Sequence, residues 1–173
     1  NHNNPHKFNA KENIELIEKL KENFGQDKNY SFYLNSDGEI LNNPRELKKI
    51  IDYLNLNNYV YIIRTNGYYK NLLKIIKYCG LKSISISYDG LNDKNRIHKK
   101  SITAPFVREN ISKLIKGGVL VQTNTVVNQD SSNLYDDVID LKNAGVQKIM
   151  ITLEKNKLYN ISEAKIILDN FKD

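Results

Sequence analysis

The sequence predicts one α/β domain in which parallel strands alternate with helices that cover the outside of the sheet. Short runs of β-branched and aromatic residues alternate with longer stretches of helical period, and Gly, Asn or Asp separates them. The length of 173 residues suits a single core, so one domain is expected to span 1–173. Right-handed crossovers allow a curved barrel segment or an open doubly wound sheet, and both gather ligands at the carboxyl ends of the strands.

The helices carry start and stop signals. Asn9 followed by Glu12 resembles a capping box and opens the first helix. The predicted apolar face of that helix consists of Ile14, Ile17, Leu20 and Phe24. Pro44, preceded by Asn43, opens the second helix at the position where its missing N–H costs nothing. The buried face of the second helix is predicted to contain Leu47, Ile50, Ile51 and Leu54. The next three helices end at glycines suited to left-handed caps, namely Gly80, Gly117 with Gly118, and Gly145.

Five strands are predicted, at residues 30–34, 59–64, 83–87, 119–127 and 148–153. A helix follows each of them, and a last amphipathic segment covers 162–171. Because the first helix has no strand before it, the pattern predicts that the first strand of the repeating series is missing.

Composition and charge exclude several classes of protein. The net charge of +6 comes from lysines spread over helices, which favours solvated helix faces over a nucleic-acid surface. No apolar run is long enough to span a membrane and no leader is visible, so a cytoplasmic protein without a membrane partner is expected. The single cysteine, Cys79, excludes an internal disulfide and a multi-thiolate metal site made by this chain alone. Cys79 is expected to be a small buried residue on the side away from the ligand site.

Polar residues follow every predicted strand at the end where ligands bind. They are Asn35 to Glu39, Thr65 to Gly67, Ser87 to Gly90, Thr123 to Thr125, and Thr152 with Glu154. Each group taken alone also suits an ordinary turn, so the functional interpretation depends on their succession.

In order and spacing, these residues resemble the radical S-adenosylmethionine (SAM) superfamily along nearly the whole chain. The segment 37–40, Asp-Gly-Glu-Ile, stands where the family has Gly-Gly-Glu-Pro, and Thr65 to Gly67 matches its Thr-Asn-Gly. Ser87 to Gly90 matches Ser-x-Asp-Gly. The spacing F-x3-N-x3-L-x3-G is matched by Phe106, Asn110, Leu114 and Gly118. The stretch from Ser87 to His98 is most similar to the branch that modifies ribosomal peptides and matures sulfatases. The resemblance implies a partial (β/α)6 barrel with its first strand missing and helices outside five strands.

The resemblance also implies an activity and roles for residues. The activity is 5′-deoxyadenosyl radical chemistry on a peptide or small-molecule substrate, with a reductant as a further partner. Backbone groups of Asp37, Gly38 and Glu39 would bind the methionine ammonium of SAM. Ser87 and Asn124 would bind its ribose hydroxyls and carboxylate, and Thr65 and Asn66 would line the mouth between them. Glu39 could instead be an acid at a helix entry. No catalytic side chain and no metal ligand is predicted.

Two departures from the family pattern leave alternatives open. The family's C-x3-C-x2-C loop, which binds a 4Fe-4S cluster through thiolates, is missing from these 173 residues. We therefore expect the sequence to begin after the cluster loop, and we expect the chain alone to be inactive. The outer residues Asp37 and Ile40 also differ from the family's Gly and Pro. One alternative is a degenerate domain that binds a ligand without redox chemistry, and another is a flavodoxin-like domain. Strand order distinguishes the latter from a barrel segment.

Overall fold

The computed structural model describes residues 8–25, 30–35, 39–88, 104–127 and 134–153. Within these ranges, the helices are α1 (Ala10–Phe24), α2 (Pro44–Leu56), α3 (Leu72–Tyr78), α4 (Ala104–Lys116) and α5 (Leu134–Asn143). The strands are β1 (Ser31–Leu34), β2 (Val60–Thr65), β3 (Ser83–Ser87), β4 (Leu120–Val127) and β5 (Lys148–Leu153). A short 3₁₀ helix at Ile40–Asn42 precedes α2. All five predicted strands are confirmed, and their ends differ from the predicted ones by at most one residue.

The five strands form one parallel sheet in chain order, β1-β2-β3-β4-β5. Sequential order combined with right-handed crossovers puts every connecting helix on the same face of the sheet. The strand order does not reverse within the described sheet, so the doubly wound, flavodoxin-like alternative is wrong. The arrangement is that of a parallel barrel segment with outer helices, as predicted.

The core lies between the sheet and the helices. Ile63, Ile84, Ile86 and Val121, which point to this face, are at most 1% exposed. The predicted apolar face of α2 is confirmed, since all four of its residues are fully buried. Burial of a side chain of this size typically stabilises a fold by about 1.5–3 kcal/mol relative to leaving it exposed, so this layer fixes the register of the strands.

The opposite face of the sheet is largely free of the described helices, and we call it the open face. Side chains alternate along a strand, so the open face carries the residues that lie between the core residues. Away from the amino ends of the strands, these residues are Tyr33, Ile62, Arg64, Ser85, Ser87, Gln122, Asn124, Val126, Lys148, Met150 and Thr152. Tyr33 is 70% exposed, and Val60 and Leu120, at the amino ends of their strands, are 67% and 47% exposed. Ser87, Asn124 and Thr152 make the carboxyl end of the open face polar between the apolar Met150 and Val126.

The helix ends named in the sequence analysis follow the sequence signals. Asn9 caps α1 by accepting a hydrogen bond from the Lys11 amide at 3.0 Å, and Glu12 bonds to the Asn9 side chain at 3.0 Å. Gly80, Gly118 and Gly145 have positive φ angles of 71°, 80° and 89° and end the predicted helices.

The predicted apolar face of α1 is only partly correct. Ile17 is 5% exposed, but Leu20 and Phe24 are 37% and 58% exposed. Helix α1 packs against α2 from its first turn, where the Ala10 amide donates to Glu46 Oε2 at 3.0 Å, to Glu18, which accepts a hydrogen bond from the Tyr53 hydroxyl. The stripe is therefore wholly or partly buried in the first part of the helix and at Ile17, and its end at Phe24 is exposed. The predicted segment 162–171 lies outside the described residues. None of the helices in the described ranges is long and apolar enough to cross a membrane.

Candidate functional site

Three polar side chains meet at the carboxyl ends of β3, β4 and β5. Ser87 and Asn124 are directly paired in the register of β3 and β4, so both lie on the open face. Thr152 donates a hydrogen bond through Oγ1 to Asn124 Oδ1 at 2.9 Å. Asn124 is only 8% exposed, and this bond uses its acceptor and leaves the two N–H groups of Nδ2 available for a ligand. We call Ser87, Asn124 and Thr152 the strand-end cluster.

The backbone beyond β3 is tied to β4, which fixes the strand-end cluster. The Tyr88 amide donates to the Asn124 carbonyl at 2.9 Å, and Thr125 Oγ1 donates to the Tyr88 carbonyl at 2.6 Å. The Tyr88 side chain is completely buried. Asp89 and Gly90, which follow in the predicted motif, lie outside the described residues. The two strand ends therefore form one rigid platform for whatever binds above Ser87 and Asn124.

The loop after β2 is a compact turn held by its own side chains. Thr65 Oγ1 accepts from the Gly67 amide at 3.1 Å, and Asn66 Oδ1 accepts from the Tyr68 amide at 2.8 Å. Thr65 pairs with Ile86 in the sheet register and is 2% exposed, so its side chain lies on the helix side. The structure thus gives Thr65 and Asn66 roles in shaping the loop, and their predicted place in the lining of the mouth stays a prediction.

Helix α4 anchors this loop from the outside. Asn110 Nδ2 donates to the carbonyls of Gly67 and Tyr69, both at 2.9 Å. One turn earlier, the Phe106 ring packs edge-on against Tyr68 with 5.0 Å between centroids. The F-x3-N spacing noted in the sequence therefore places two residues of one helix face against one loop. Sequence reasoning identified these positions but missed their contact with the Thr-Asn-Gly segment.

Glu39 joins the end of the β1 loop to the end of β2. Its Oε2 accepts from the Asn66 amide at 2.8 Å. Glu39 is also the N-cap residue of the 3₁₀ helix, but its side chain makes no cap hydrogen bond to that helix. Its Oε1 is buried and has no hydrogen-bond partner among the described residues. Burial, and after it the Glu39 carboxylate, raises the pKa of Tyr69 to about 12. The other two residues of the predicted ammonium site, Asp37 and Gly38, lie outside the described residues.

The described residues do not fit an iron–sulfur cluster. Cys79 is completely buried just after α3, and burial raises the pKa of its thiol to about 11. A thiol with so high a pKa is a poor source of thiolate, which is the form that ligates iron. The prediction that Cys79 is a buried structural residue is confirmed. In the part of the chain that the structure describes, no group of three or more His, Cys, Asp or Glu residues could hold a metal ion.

The strand-end cluster and Glu39, by contrast, carry polar groups that fit SAM. The strand-end cluster supplies an amide donor and hydroxyl groups, which match ribose hydroxyls and a carboxylate. The buried, unpartnered Oε1 of Glu39 is an acceptor suited to an ammonium group. A polar atom buried without a partner destabilises the protein unless a ligand satisfies it, so the free Oε1 is consistent with a binding role.

Comparisons with known proteins identify the fold. No protein-family model matches the sequence, and a search of curated proteins finds no match. Among solved structures, SuiB of Streptococcus suis bound to S-adenosylmethionine matches with a TM-score of 0.65 at 15% identity, over 93% of this chain and 38% of SuiB. SuiB bound to its precursor peptide SuiA matches with a TM-score of 0.67 at 13% identity, with the same coverage. TYW1 with a lysine-pyruvate adduct bound matches with a TM-score of 0.60 at 16% identity, over 94% of this chain and 57% of TYW1.

SuiB and TYW1 are both radical SAM proteins. This chain therefore has the fold of a radical SAM core domain, as its motifs predicted. It spans less than two thirds of each of these neighbours, 38% of SuiB and 57% of TYW1. At this level of identity the likeness concerns the fold.

Proposed function

We propose that this chain is the SAM-binding part of a radical SAM enzyme. The observation that carries the proposal is the strand-end cluster: Ser87, Asn124 and Thr152 converge on the open face at neighbouring strand ends. The structure neighbour SuiB was solved with SAM bound, which supports SAM as the ligand of this cluster. Ligands of parallel barrel folds bind at this end of the strands.

Each residue of the site has a proposed role. Asn124 donates through Nδ2, and Ser87 bonds through its hydroxyl, to the ribose and carboxylate oxygens of SAM. Thr152 orients the Asn124 amide through the bond at 2.9 Å. The segment Asp37 to Glu39 takes the methionine ammonium, with the free Oε1 of Glu39 as one acceptor. Asn66 positions Glu39 through its backbone amide.

When bound in a radical SAM enzyme, SAM is the source of a 5′-deoxyadenosyl radical that takes a hydrogen atom from the substrate. The residues of this chain bind SAM, orient its ribose against the sheet and exclude water from that side. The proposed substrate is a peptide or a small molecule, and the peptide is favoured because the neighbour SuiB was solved with a precursor peptide. We further propose that a separate reductant supplies the electron and that residues other than those described ligate a 4Fe-4S cluster. A cytoplasmic location is also part of the proposal.

Calorimetric titration of the full-length protein with SAM tests the binding site. Asn124→Ala and Ser87→Ala should each weaken SAM binding, by roughly tenfold if each residue makes one good hydrogen bond to the ligand. Ser83→Ala is a matched control, because Ser83 lies on β3 and shares the face of Ser87 at the opposite end of the strand. Absence of SAM binding, or equal affinity in Ser83→Ala and Ser87→Ala, would contradict the assignment.

A second experiment separates the enzyme from the degenerate binding domain. The full-length protein is reconstituted with iron and sulfide under anaerobic conditions, reduced with dithionite and analysed for 5′-deoxyadenosine. Formation of 5′-deoxyadenosine supports the enzyme. SAM binding without cleavage supports the degenerate domain.

A further inference from the structure

We infer that Arg64 is a binding point for a carboxylate group of the substrate, on the open face below the SAM site. This inference rests on the proposed function, because it places the substrate against the same face of the sheet as SAM. Arg64 pairs with Ser85 in the register of β2 and β3, two residues before Ser87. At about 3.3 Å per residue, Arg64 lies roughly 6–7 Å closer to the amino ends of the strands than the strand-end cluster.

The nearest neighbours of Arg64 on the sheet are uncharged, and the row of paired residues ends at another cation, Lys148. Its neighbours in register are Ser85 and, one strand further, Gln122. Ser85 is 2% exposed, and Arg64 itself is partly buried. A partly buried guanidinium among uncharged groups has lost part of its hydration, and this loss is unfavourable unless an anion compensates it.

No such anion is found among the described residues. The ion pairs of the described chain lie on helices, for example Lys48 with Asp52 on α2 and Arg108 with Asp140 between α4 and α5. Arg64 makes neither an ion pair nor a side-chain hydrogen bond to a described residue. The nearest candidate along the chain, Glu39, gives its Oε2 to the Asn66 amide and does not pair with Arg64. The guanidinium is therefore available to a ligand on the open face.

The geometry of the side chain selects the class of ligand. A guanidinium presents its N–H donors as a planar fork that matches the two oxygens of a carboxylate. An aspartate or glutamate side chain of a peptide, or the carboxylate of a small molecule, would meet this fork while another part of the substrate lies next to SAM. Arg64 is thus a candidate specificity determinant rather than a part of the SAM pocket.

The probes for the test are two capped amino acids, N-acetyl-aspartate amide and N-acetyl-asparagine amide, which differ by one charge. The full-length protein, saturated with SAM, is titrated with each, and the arginine Nε–Hε resonances are followed by NMR after assignment with Arg64→Lys. The aspartate probe should shift the Arg64 resonance saturably, and the asparagine probe should leave it in place. Arg64→Gln should weaken binding of the aspartate probe roughly tenfold. Arg64→Lys, which keeps the charge but not the fork, should weaken it less.

Arg45→Gln is the matched control, because it makes the same chemical change at an exposed position of α2. Equal binding of the two probes, or unchanged binding of the aspartate probe to Arg64→Gln, would overturn the inference. So would a loss of SAM affinity in Arg64→Gln as large as that in Asn124→Ala, since the carboxylate would then be that of SAM. Failure of the proposed function gives a different result, because SAM would then bind equally to Asn124→Ala and to Ser83→Ala.

Discussion

Gly67, in the loop after β2, packs directly against core side chains. Its φ angle is +71°, and a Cβ at this position would lie 2.8 Å from Ile86 Cγ2 and 3.0 Å from Val107 Cγ1. Gly80 has the same φ angle, but a Cβ there would meet no heavy atom within 4 Å. The two glycines therefore share the backbone requirement and differ in the space around them.

We expect Gly67→Ala to destabilise the protein more than Gly80→Ala does. The left-handed backbone should cost about 1–2 kcal/mol in both variants. Overpacking against Ile86 and Val107 should add about 1–3 kcal/mol in Gly67→Ala alone. Urea unfolding of both variants measures the difference. Equal losses of unfolding free energy would show that the side chains around Gly67 move aside.

Single residues of the site differ in how far the sequence reveals them. The position of Ser87 and Asn124 at strand ends follows from the strand pattern, because parallel strands end at a common edge. The bonds from Asn110 to the Gly67 and Tyr69 carbonyls join parts of the chain more than 40 residues apart, and no local pattern encodes them. The sequence also gave no indication that Arg64 is a functional residue, because whether a charged side chain in a strand has a partner depends on the packing of the whole sheet.

At the scale of elements, α4 and α5 are joined by a clasp of one arginine and one aspartate. Arg108 donates through Nε to the Asp140 carboxylate and through Nη2 to Oδ1 at 2.9 Å. It also donates through Nη1 to Ser112 Oγ at 2.6 Å, which fixes the guanidinium plane. The pKa of Asp140 lies below its ordinary value, mainly because Arg108 donates hydrogen bonds to the carboxylate.

Because of this ion pair, we expect part of the free energy of unfolding to depend on pH. Because the folded pKa of Asp140 is lowered, the clasp stabilises the fold at neutral pH. The stabilisation is lost as the pH falls below about 3.9, the ordinary aspartate value, and through the folded pKa. Asp140→Asn should therefore cost about 0.5–1 kcal/mol at neutral pH, a modest value because the carboxylate is 37% exposed. The difference from the wild type should shrink in acid.

Urea unfolding at neutral and acidic pH tests this expectation. Asp52→Asn is the control, since Asp52 forms an i,i+4 pair with Lys48 within one helix and is 57% exposed. We expect a smaller effect of that variant at neutral pH. A penalty for Asp140→Asn that stays the same from neutral to acidic pH would show that the clasp contributes nothing that titrates.

The sequence predicts the boundaries of elements better than their contacts. Strand ends and glycine caps are encoded locally, by β-branched runs and by the need for a positive φ angle, and both were predicted correctly. The apolar stripe of α1 was predicted to be buried as far as Phe24, which is 58% exposed. Periodicity shows which residues share a helix face, but burial depends on what lies beneath that face.

At the scale of the molecule, the open face follows from topology and handedness alone. Parallel strands in chain order with right-handed crossovers leave one side of the described sheet without helices. The family resemblance supplied the strand order that residue patterns left open between a barrel segment and a doubly wound sheet. The same topology puts Arg64 and the strand-end cluster on one surface, which makes a shared ligand pocket geometrically possible.

The topology also predicts how stability is distributed over the chain. Strand β3 has a paired strand on each side, and Ile84 and Ile86 are fully buried. Helix α1 packs against α2 and leaves Leu20 37% and Phe24 58% exposed. Amides of β3 should therefore exchange with solvent only by global unfolding, whereas those of the last turns of α1 should exchange by local opening.

Hydrogen exchange measured by mass spectrometry, with peptides covering 83–87 and 16–24, tests this order. Low concentrations of urea should accelerate exchange in β3 as strongly as they promote global unfolding. Exchange in the last turns of α1 should scarcely depend on urea, because local opening exposes little new surface. Equal protection of the two peptides would contradict the expected order. It would mean that α1 unfolds together with the sheet and that its exposed apolar residues do not mark a separate, weaker unit.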